Sequence, residues 1–405
     1  MKFYYECSTC GKIYRTDEIM YQCPECAKLN DGSEFAKGNL IVKLEKEEYE
    51  RLGKMESIKA EDFNIYKLDD NAFFPLGPTP LMSPKNIIKE TGFKNLKFKL
   101  DTQLISGSFK DRASILVAAQ AIHHNEKKIA LASTGNAGAA MSAVGAALGL
   151  DIILFVPASA PVNKLMQSVL YGAKVIPVKG TYDDAFALSI EYTKRYGGIN
   201  RNTAFNPITI EGKKSVSIEL FNQYGRKAPD VVYVPTGDGC IFAGVAKGFY
   251  DLKEAGLIDK MPHLVAAQSV QSNAISQAFR TGKMVGVNAT TRADSISVSL
   301  PANGAMAVSY IKMSDGWSTE VTDQALLDAQ LLLTRGAGVL AEPAAATAYA
   351  AFLQDREKLE REVGKDAEIC ILLTGTGFKD MAAFDGRVSI PPAIENSVEA
   401  LKDLN

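Results

Sequence analysis

Residues 106–112 read Ser-Gly-Ser-Phe-Lys-Asp-Arg, and this heptapeptide places Lys110 beside small hydroxyl residues. A lysine in such surroundings can hold an aldehyde cofactor, because its amine condenses with the aldehyde. Most lysines are solvated surface charges, so the heptapeptide alone does not distinguish a catalytic lysine from an exposed one. Other segments of the sequence are needed to distinguish these two interpretations.

On both sides of a helix predicted at 114–124, short apolar runs alternate with longer amphipathic or small-residue segments, such as a second helix predicted at 137–148. This alternation predicts an α/β protein whose parallel sheets are covered on both faces. Ligands of such sheets bind at the carboxyl ends of the strands. The runs that predict strands are 129–132, 152–156, 174–177, 231–234 and 369–373.

Several loops near the ends of these strands are rich in glycine and hydroxyl residues. Residues 132–138, Ala-Ser-Thr-Gly-Asn-Ala-Gly, lead into a helix whose first N–H groups can bind a carboxylate, although Ser and Thr are also ordinary helix caps. Residues 235–244, Pro-Thr-Gly-Asp-Gly-Cys-Ile-Phe-Ala-Gly, carry glycines that let backbone amides surround a phosphate. This second loop lacks the Gly-Lys-Ser/Thr ending of a nucleotide-binding loop.

A third loop, Leu-Thr-Gly-Thr-Gly-Phe at 373–378, ends the last predicted strand, and Ala-Glu-Pro-Ala at 341–344 precedes it. Either segment alone is typical of a tight connection. Together with Lys110 and the two glycine-containing loops, however, they supply a lysine, an anion site, a phosphate site and a strand-end hydroxyl. These are the parts that bind pyridoxal phosphate and an amino acid.

Four of the six cysteines lie in the first 26 residues, whereas Cys240 and Cys370 stand alone. The four form two C-x-x-C pairs separated by 12 residues, a spacing that predicts a closed tetrahedral zinc site of four thiolates. A closed site leaves no position for a substrate, so the zinc is expected to stabilise a small ribbon over residues 1–36. The charge-rich residues 37–73 are predicted to be a linker. The predicted zinc ligands are Cys7, Cys10, Cys23 and Cys26.

The composition excludes several classes of protein. The 405 residues contain 45 Lys plus Arg against 47 Asp plus Glu, and 46% are hydrophobic, so neither a nucleic-acid partner nor a disordered chain is expected. No apolar run approaches the roughly 20 residues of a membrane helix. The first residues lack the apolar core of a signal peptide, which predicts a cytoplasmic protein without a membrane partner.

In chain order, six segments resemble those of fold-type II pyridoxal-phosphate enzymes: Leu-Gly-Pro-Thr-Pro-Leu at 76–81, the heptapeptide, Ser-Thr-Gly-Asn-Ala-Gly, the Gly237 loop, Ala-Glu-Pro-Ala and Thr-Gly-Thr-Gly. Within that group the chain most resembles threonine synthase and its relatives, some of which carry a similar zinc ribbon. The resemblance runs from about Phe74 to Asp380. It implies a tryptophan synthase β-like fold with two parallel-sheet α/β subdomains in a catalytic domain at 74–405, the smaller roughly at 115–225, and a homodimer.

The resemblance also implies a role for individual residues. Lys110 would carry the cofactor and move the proton, Thr374 would face the pyridine nitrogen, and Glu342 would lie near the ring. The Asn136 side chain would lie near the phenolic oxygen of the cofactor. The amides that would hold the cofactor phosphate belong to Gly237, Asp238, Gly239, Cys240 and Ile241. The substrate carboxylate would be held by Ser133, Thr134, Asn136 and Ala137.

Elimination and replacement on a small amino acid follow from the resemblance, with the conversion of O-phospho-L-homoserine and water into L-threonine and phosphate as the first expectation. In threonine synthases of this type, a stretch resembling Asn-Ser-x-Asn-Pro-x-Arg-x-Glu-Gly-Gln-Lys holds the substrate phosphate. Residues 203–214 here read Thr-Ala-Phe-Asn-Pro-Ile-Thr-Ile-Glu-Gly-Lys-Lys. Thr209 stands at the arginine position and Ala204 at the serine position, while Lys213 replaces the glutamine.

The missing arginine leaves the substrate open, because each charge-assisted hydrogen bond to a phosphate contributes about 1.5–3 kcal/mol. Lys213 can supply a compensating charge if its side chain points to the site. The alternatives are β-replacement, as in cysteate or cysteine synthases, and an ammonia-lyase acting on threonine, serine or diaminopropionate. A catalytically silent interaction protein is a further alternative, against which the retained Lys110 argues. Cys240 is either a reactive thiol or a buried packing residue.

Overall fold

The structure is a computed structural model that describes residues 1–68, 78–398 and 401. The first two residues of the Leu-Gly-Pro-Thr-Pro-Leu segment, and the predicted boundary between linker and catalytic domain at 73/74, lie outside the described residues. The strands within the described part are β1 Phe3–Cys7, β2 Ile13–Tyr14, β3 Leu40–Leu44, β4 Leu81–Met82, β5 Leu96–Leu100, β6 Lys128–Ala132, β7 Asp151–Pro157, β8 Lys174–Val178, β9 Ile199–Asn200, β10 Val231–Pro235, β11 His263–Ser269, β12 Trp317–Val321 and β13 Ile369–Leu373.

The helices alternate with these strands over most of the chain, which is the arrangement that the apolar runs predict. Short 3₁₀ turns at Asp101–Gln103 and Gly212–Lys214 extend the regular elements near the site. The α-helices are α1 Pro24–Ala27, α2 Lys46–Gly53, α3 Lys85–Thr91, α4 Lys110–His123, α5 Asn136–Leu148, α6 Val162–Leu170, α7 Tyr182–Tyr196, α8 Ile208–Glu211, α9 Ser215–Gln223, α10 Cys240–Glu254, α11 Ala274–Thr281, α12 Gly304–Met313, α13 Asp323–Ala337 and α14 Pro343–Glu362.

Two sheets form the framework of the catalytic part. A six-stranded sheet has the order β12-β11-β10-β13-β5-β4 and is parallel except for β4, which pairs with β5 in the antiparallel direction. A four-stranded, fully parallel sheet has the order β8-β7-β6-β9. This arrangement confirms the predicted α/β class, and strands β6, β7, β8, β10 and β13 each begin and end within one residue of their predictions.

The larger sheet separates two hydrophobic cores, as expected for a parallel sheet that is covered on both faces. Along β10, Val231 and Tyr233 contribute to the core on one face, whereas Val232 and Val234 contribute to the core on the other. Helix α14 packs against the first face, where Phe352 meets Tyr233 edge to face with ring centroids 6.1 Å apart. Burial on both faces keeps the carboxyl end of β10 in a fixed position, and the loops of the site begin there.

The N-terminal part forms a separate three-stranded antiparallel sheet with the order β2-β1-β3. Strand β3 lies beyond residue 36, where the sequence predicts the ribbon to end, and it pairs with β1 in a register that places Cys7 opposite Leu40. The domain boundaries stay predictions. None of the helices in the described part is long and apolar enough to cross a membrane.

Candidate active site

Lys110 is the first residue of α4 and is partly buried at the carboxyl edge of the six-stranded sheet. The loop that precedes it is joined to the end of β13 by two backbone hydrogen bonds. The Phe109 N–H donates to the Thr374 carbonyl at 2.8 Å, and the Thr376 N–H donates to the Gly107 carbonyl at 2.9 Å. The lysine and the strand-end hydroxyl that the sequence predicts are therefore held in one region.

The Ala-Glu-Pro-Ala turn approaches the same region from the other side. The Glu342 N–H donates to the Gly375 carbonyl at 3.0 Å, and a Cβ atom at residue 375 would overlap the Glu342 carboxylate, so a larger residue there would displace this side chain. The Asn136 amide donates to the same carboxylate at 3.1 and 3.3 Å and to the Ser295 hydroxyl at 3.2 Å. Burial raises the pKa of Glu342 even though Asn136 donates to it. These bonds bring the start of α5 to the site.

The loop between β6 and α5 holds the four residues predicted to bind the substrate carboxylate. The Ser133 hydroxyl oxygen accepts N–H bonds from Gly138 at 3.0 Å and from Gly135 at 3.3 Å. This contact caps the start of the helix, as the simpler interpretation of the sequence predicts, and its hydroxyl hydrogen remains the part that can be offered to a ligand. Thr134 and Ala137 are partly exposed beside it, so the helix N-terminus is open to an anion.

The glycine loop connects β10 to α10 with a backbone that requires glycine. Gly239 has a φ of +86°, and a Cβ atom there would lie 2.7 Å from the Asn303 carbonyl oxygen. The Asn303 N–H in turn donates to the Asp238 carbonyl at 2.9 Å. These contacts hold the glycine loop against Asn303, and the loop leads directly into the N-terminus of α10. Backbone N–H groups in this arrangement suit a phosphate.

Electrostatic interactions couple the glycine loop to Lys110. Burial disfavours the ionised form of Asp238, but the positive charges of Lys110 and Lys213 outweigh it and hold the pKa of Asp238 below its usual value. The Asp238 carboxylate accepts the Cys240 N–H at 2.8 Å. Cys240 is fully buried, and burial raises the pKa of its thiol, so this residue packs the loop and does not present a reactive thiolate.

Arg112, the last residue of the heptapeptide, has a structural function to which the sequence gives no pointer. Its guanidinium donates to Asp101 at 2.6 Å and to Glu219 at 2.6 Å, and Lys99 donates to the same Glu219 at 2.6 Å. All four side chains are buried. The two acidic residues come from separate parts of the sequence, so only the fold reveals this network, which fixes the first turn of α4.

Two more buried cations, Lys213 and Arg201, lie near Lys110, and only for Lys213 does the sequence predict a role. Lys213 is fully buried and donates to the Thr209 carbonyl at 2.8 Å. Arg201, also fully buried, donates to the Thr203 hydroxyl at 2.7 Å and to the Ser114 hydroxyl at 3.4 Å. Burial lowers the pKa of Lys213 to about 7 and that of Arg201 to about 10. An isolated arginine between two predicted strands carries no sequence signal of such a position.

The four N-terminal cysteines converge as the C-x-x-C spacing predicts. Their sulfur atoms all lie within 4.8 Å of one another, and the Sγ atoms of Cys10 and Cys23 are 4.0 Å apart. The Tyr14 hydroxyl lies 3.0 Å from the Cys23 sulfur. Four thiolates at such separations suit a tetrahedral metal ion with Zn–S bonds of about 2.3 Å. The remaining two ligand candidates are Cys7 and Cys26.

A family model described as "Pyridoxal-phosphate dependent enzyme" matches residues 73–375, which include Lys110, the loop after β6, the glycine loop, Glu342 and Thr374. The chain belongs to this family. The residues present fit the cofactor, because Lys110, a glycine-containing loop at the start of α10 and the buried Thr374 lie at strand ends of the six-stranded sheet. The family match therefore confirms the resemblance that the sequence motifs of this enzyme indicate.

Relatives with established names extend along the whole chain. Threonine synthase from Methanocaldococcus jannaschii is 32% identical over 98% of this chain and 98% of its own length. Threonine synthase from Methanosarcina acetivorans is 28% identical over 99% of this chain and 98% of its own length. The match includes the cysteine-containing N-terminal part as well as the pyridoxal-phosphate domain.

Solved structures confirm the fold-type II architecture. A fungal L-serine ammonia-lyase from Rhizomucor miehei superimposes with a TM-score of 0.66 and 21% identity over 76% of this chain and 96% of its own. Threonine deaminase isoform 2 from Solanum lycopersicum gives a TM-score of 0.65 with 19% identity over 76% of this chain and 85% of its own. At these identities the likeness concerns the fold alone.

Proposed function

We propose that this enzyme is a threonine synthase, which converts O-phospho-L-homoserine and water into L-threonine and phosphate. The observation that carries the proposal is the 32% identity to a named threonine synthase over 98% of both chains. The convergence of Lys110, Asn136 and Thr374 near one glycine loop supports it, because this chemistry needs a base, an anchor for the amino acid and a held cofactor.

Each side chain of the site has a task in this reaction. Bound pyridoxal phosphate supplies the electron sink for the pair that remains when a proton leaves the substrate. Lys110 holds the cofactor and then accepts the α-proton at its Nζ atom. The hydroxyl of Thr374 would face the pyridine nitrogen without forcing its protonation, which would suit elimination and replacement. The amides of residues 237–241 hold the cofactor phosphate, and the helix start at Ser133–Ala137 orients the substrate carboxylate.

Over the whole reaction, the bond between the γ-carbon and the phosphate oxygen breaks, and its electron pair leaves with phosphate. The oxygen of water bonds to the β-carbon, and protons are redistributed between carbon atoms. Lys110 would carry these protons, and its partial burial limits the access of bulk water. Which substrate carbon gives or receives a proton depends on the distance and orientation of that carbon relative to the Lys110 Nζ atom.

The test is to add O-phospho-L-homoserine to the purified holoenzyme and to measure threonine and phosphate together. Equal amounts of both products are expected, and Lys110→Ala is the matched inactive control. Production of neither compound, combined with ammonia release from threonine, serine or diaminopropionate, would identify an ammonia-lyase. Turnover of O-phosphoserine or O-acetylserine with sulfite or sulfide would instead identify a β-replacing enzyme.

We also propose that Cys7, Cys10, Cys23 and Cys26 hold a structural zinc ion. Their mutual distances within 4.8 Å and their soft donor atoms support this assignment. Freshly purified protein is expected to contain about one zinc per chain, and its removal by a chelator should lower the melting temperature. Metal analysis that finds no zinc in protein purified without chelators contradicts the assignment.

Two further parts of the proposal concern the state of the protein in the cell. A homodimer in the cytoplasm is proposed from the family resemblance. Light scattering on the purified enzyme tests the dimer, and fractionation of cells that express the full chain tests the location. A monomer at working concentration, or recovery with the membrane fraction, contradicts the respective part.

A further inference from the structure

Within the described residues, the two buried cations near Lys110, Arg201 and Lys213, make no hydrogen bond to a carboxylate; the Asp238 carboxylate raises the pKa of both through its charge but does not pair with either. Within residues 1–68 and 78–398, their hydrogen bonds go to a carbonyl and two hydroxyls, and the Nε atom of Arg201 has no acceptor. A buried charge is costly unless an opposite charge compensates it. Asp238 supplies one negative charge against the three cations Lys110, Arg201 and Lys213, so an additional anion would complete the compensation.

Both cations lie next to the reacting groups. Arg201 donates to Ser114, which is one helical turn beyond Lys110 on the same face of α4. Lys213 packs its stem against Gly244 in the second turn of α10, behind the glycine loop. Besides burial, the charges of Lys110 and Arg201 lower the pKa of Lys213, which agrees with this proximity. An anion between the two cations would therefore face the substrate.

We propose that Arg201 and Lys213 form a buried pocket for an oxyanion, and that the oxyanion is the phosphate-type group on the side chain of the substrate. This rests on the proposed function, since the family pattern has an arginine at the position of Thr209. The Thr209 hydroxyl donates to the Asn206 carbonyl at 2.7 Å and carries no charge. Arg201 supplies the guanidinium from a different strand, and Lys213 adds a second positive charge.

The experiment measures the binding of inorganic phosphate to the holoenzyme by calorimetry. Arg201→Met and Lys213→Gln should each weaken binding by about 10- to 100-fold, as expected for the loss of a charge-assisted hydrogen bond. Arg201→Lys should restore part of the affinity. The matched control is Arg195→Met, because Arg195 lies exposed on α7. Circular dichroism and the absorption of bound cofactor establish that each variant is folded and loaded.

Two outcomes overturn the pocket. In the first, phosphate binds Arg201→Met and Lys213→Gln as tightly as the wild type. In the second, the variants lose affinity for pyridoxal phosphate but not for added phosphate, and the cations then serve the cofactor. If Arg201→Met does not fold, Lys213→Gln and Arg201→Lys decide. If phosphate binding depends on both residues but O-phospho-L-homoserine is not turned over, the pocket stands and the proposed function fails.

A second inference rests on an independent set of contacts between the cysteine-containing part and the glycine loop. The Ser8 N–H, next to Cys7, donates to the Asn39 carbonyl at 2.9 Å. The Asn39 amide donates to the Ala302 carbonyl at 2.6 Å and to the Asn303 side chain at 3.0 Å, and Asn39 is only 2% exposed. Asn303 is the residue whose backbone holds the glycine loop from behind.

The same N-terminal part also contacts the strand that leads to Arg201. Tyr21 stacks on Phe205 with ring centroids 4.7 Å apart, and its hydroxyl accepts the Asn200 N–H at 3.0 Å. We infer that Asn39 is a positioning residue for the cofactor phosphate, acting through Asn303 on the backbone of residues 238 and 239. The cysteine-containing part then braces the active site, in addition to stabilising itself.

The test compares two ligands of the apoenzyme, pyridoxal phosphate and pyridoxal, by absorbance titration. Asn39→Ala should weaken pyridoxal phosphate by about 10-fold, because a displaced loop loses hydrogen bonds to phosphate. Pyridoxal lacks the phosphate, so its affinity should stay unchanged. Asn30→Ala is the matched control, since Asn30 is exposed and bonds only within the N-terminal part. Equal losses for both ligands, or no loss for either, overturn the inference.

Discussion

Lys213 and Lys214 are neighbours in the sequence and are both buried, yet the fold treats their charges in opposite ways. Lys214 donates to Glu211 and to Asp251, and although burial opposes its charge, these carboxylates raise its pKa. Lys213 has only a carbonyl acceptor, and burial lowers its pKa to about 7. Adjacent residues on one turn thus illustrate two uses of a buried cation.

The same contrast separates the two buried arginines. Arg112 lies between Asp101 and Glu219, and these carboxylates outweigh burial and raise its pKa. Among the described residues Arg201 has no carboxylate in hydrogen-bonding contact, and burial lowers its pKa to about 10. A paired cation holds elements together, and breaking its pair is expected to unfold the protein. An unpaired one destabilises the fold slightly and remains available to a ligand. The predictions below test that distinction.

The largest expected effect concerns Lys110, whose charge acts on the unpaired cation Lys213. Lys110→Ala should lower turnover by at least about 1,000-fold, because Lys110 is proposed both to hold the cofactor and to take the α-proton. The melting temperature should stay close to that of the wild type, since Lys110 is only partly buried. Turnover assays and thermal melts check both, with Lys194→Ala on the exposed face of α7 as control. Normal activity in Lys110→Ala would sink the mechanism.

A large effect on stability is expected from the paired arginine. Arg112→Met should lower the free energy of unfolding by about 3–5 kcal/mol, because it leaves Asp101 and Glu219 buried without their partner. Arg201→Met removes a cation that has no carboxylate, so its unfolding free energy should change by less, or rise. Urea denaturation of both variants gives the comparison. Equal losses in the two variants would break the distinction between paired and unpaired cations.

Lowering the pH should destabilise the buried network of Arg112, Lys99, Asp101 and Glu219. Burial alone would raise the pKa of Glu219, but Arg112 and Lys99 outweigh it and lower that pKa to about 2. The folded pKa lies below the unfolded one, so the stabilisation is present above about pH 4.5 and is lost as the pH falls towards 2. Urea midpoints between those values should decrease, and Glu219→Gln, already destabilised at neutral pH, should show a flatter dependence. A wild-type midpoint that does not change over this range contradicts the prediction.

The smallest effect concerns the charge of Lys213. The groups around it are Lys110, Arg201, Asp238 and the Cys240 thiol, and its pKa of about 7 means that it loses its proton as the pH rises above neutrality. Sulfate keeps its charge over this range, so sulfate affinity should fall by up to about 10-fold between about pH 6 and pH 9. A bound anion raises the pKa, which shifts the midpoint upwards. Lys213→Gln should abolish the dependence, and a variant that keeps it would assign the titration elsewhere.

The regular part of the fold could be predicted from local patterns. Buried parallel strands read as short apolar runs, and for that reason β6, β7, β8, β10 and β13 agree with their predictions to within one residue at each end. Strand β9 has only two residues, too few for any periodic pattern, and its place beside β6 depends on pairing that no local pattern encodes. The N-terminal strand β3 lies in a charge-rich stretch, where alternating burial is easily taken for a linker.

The residues of the candidate site also fall into two groups, those that a sequence motif predicts and those that only the tertiary structure reveals. Lys110, the loop after β6, the glycine loop and Thr374 are found by motif, because a lysine, a helix start and glycines at strand ends have a chemical meaning wherever they occur. The roles assigned to them remain predictions. Arg201 and Asn39 carry no motif, since an arginine or an asparagine is most often a surface residue, and their importance arises only from burial and from contacts with distant residues.

The sequence by itself therefore determined the cofactor class, the α/β architecture and the cluster of four cysteines, because these depend on residue types at short, regular spacings. Only the tertiary structure decided which buried charges are compensated. The partners of Arg112 come from 11 and 107 residues away, and Arg201 comes near Lys110 by strand pairing. Charge compensation depends on three-dimensional distance and on exclusion of water, neither of which is recorded in the order of residues along the chain.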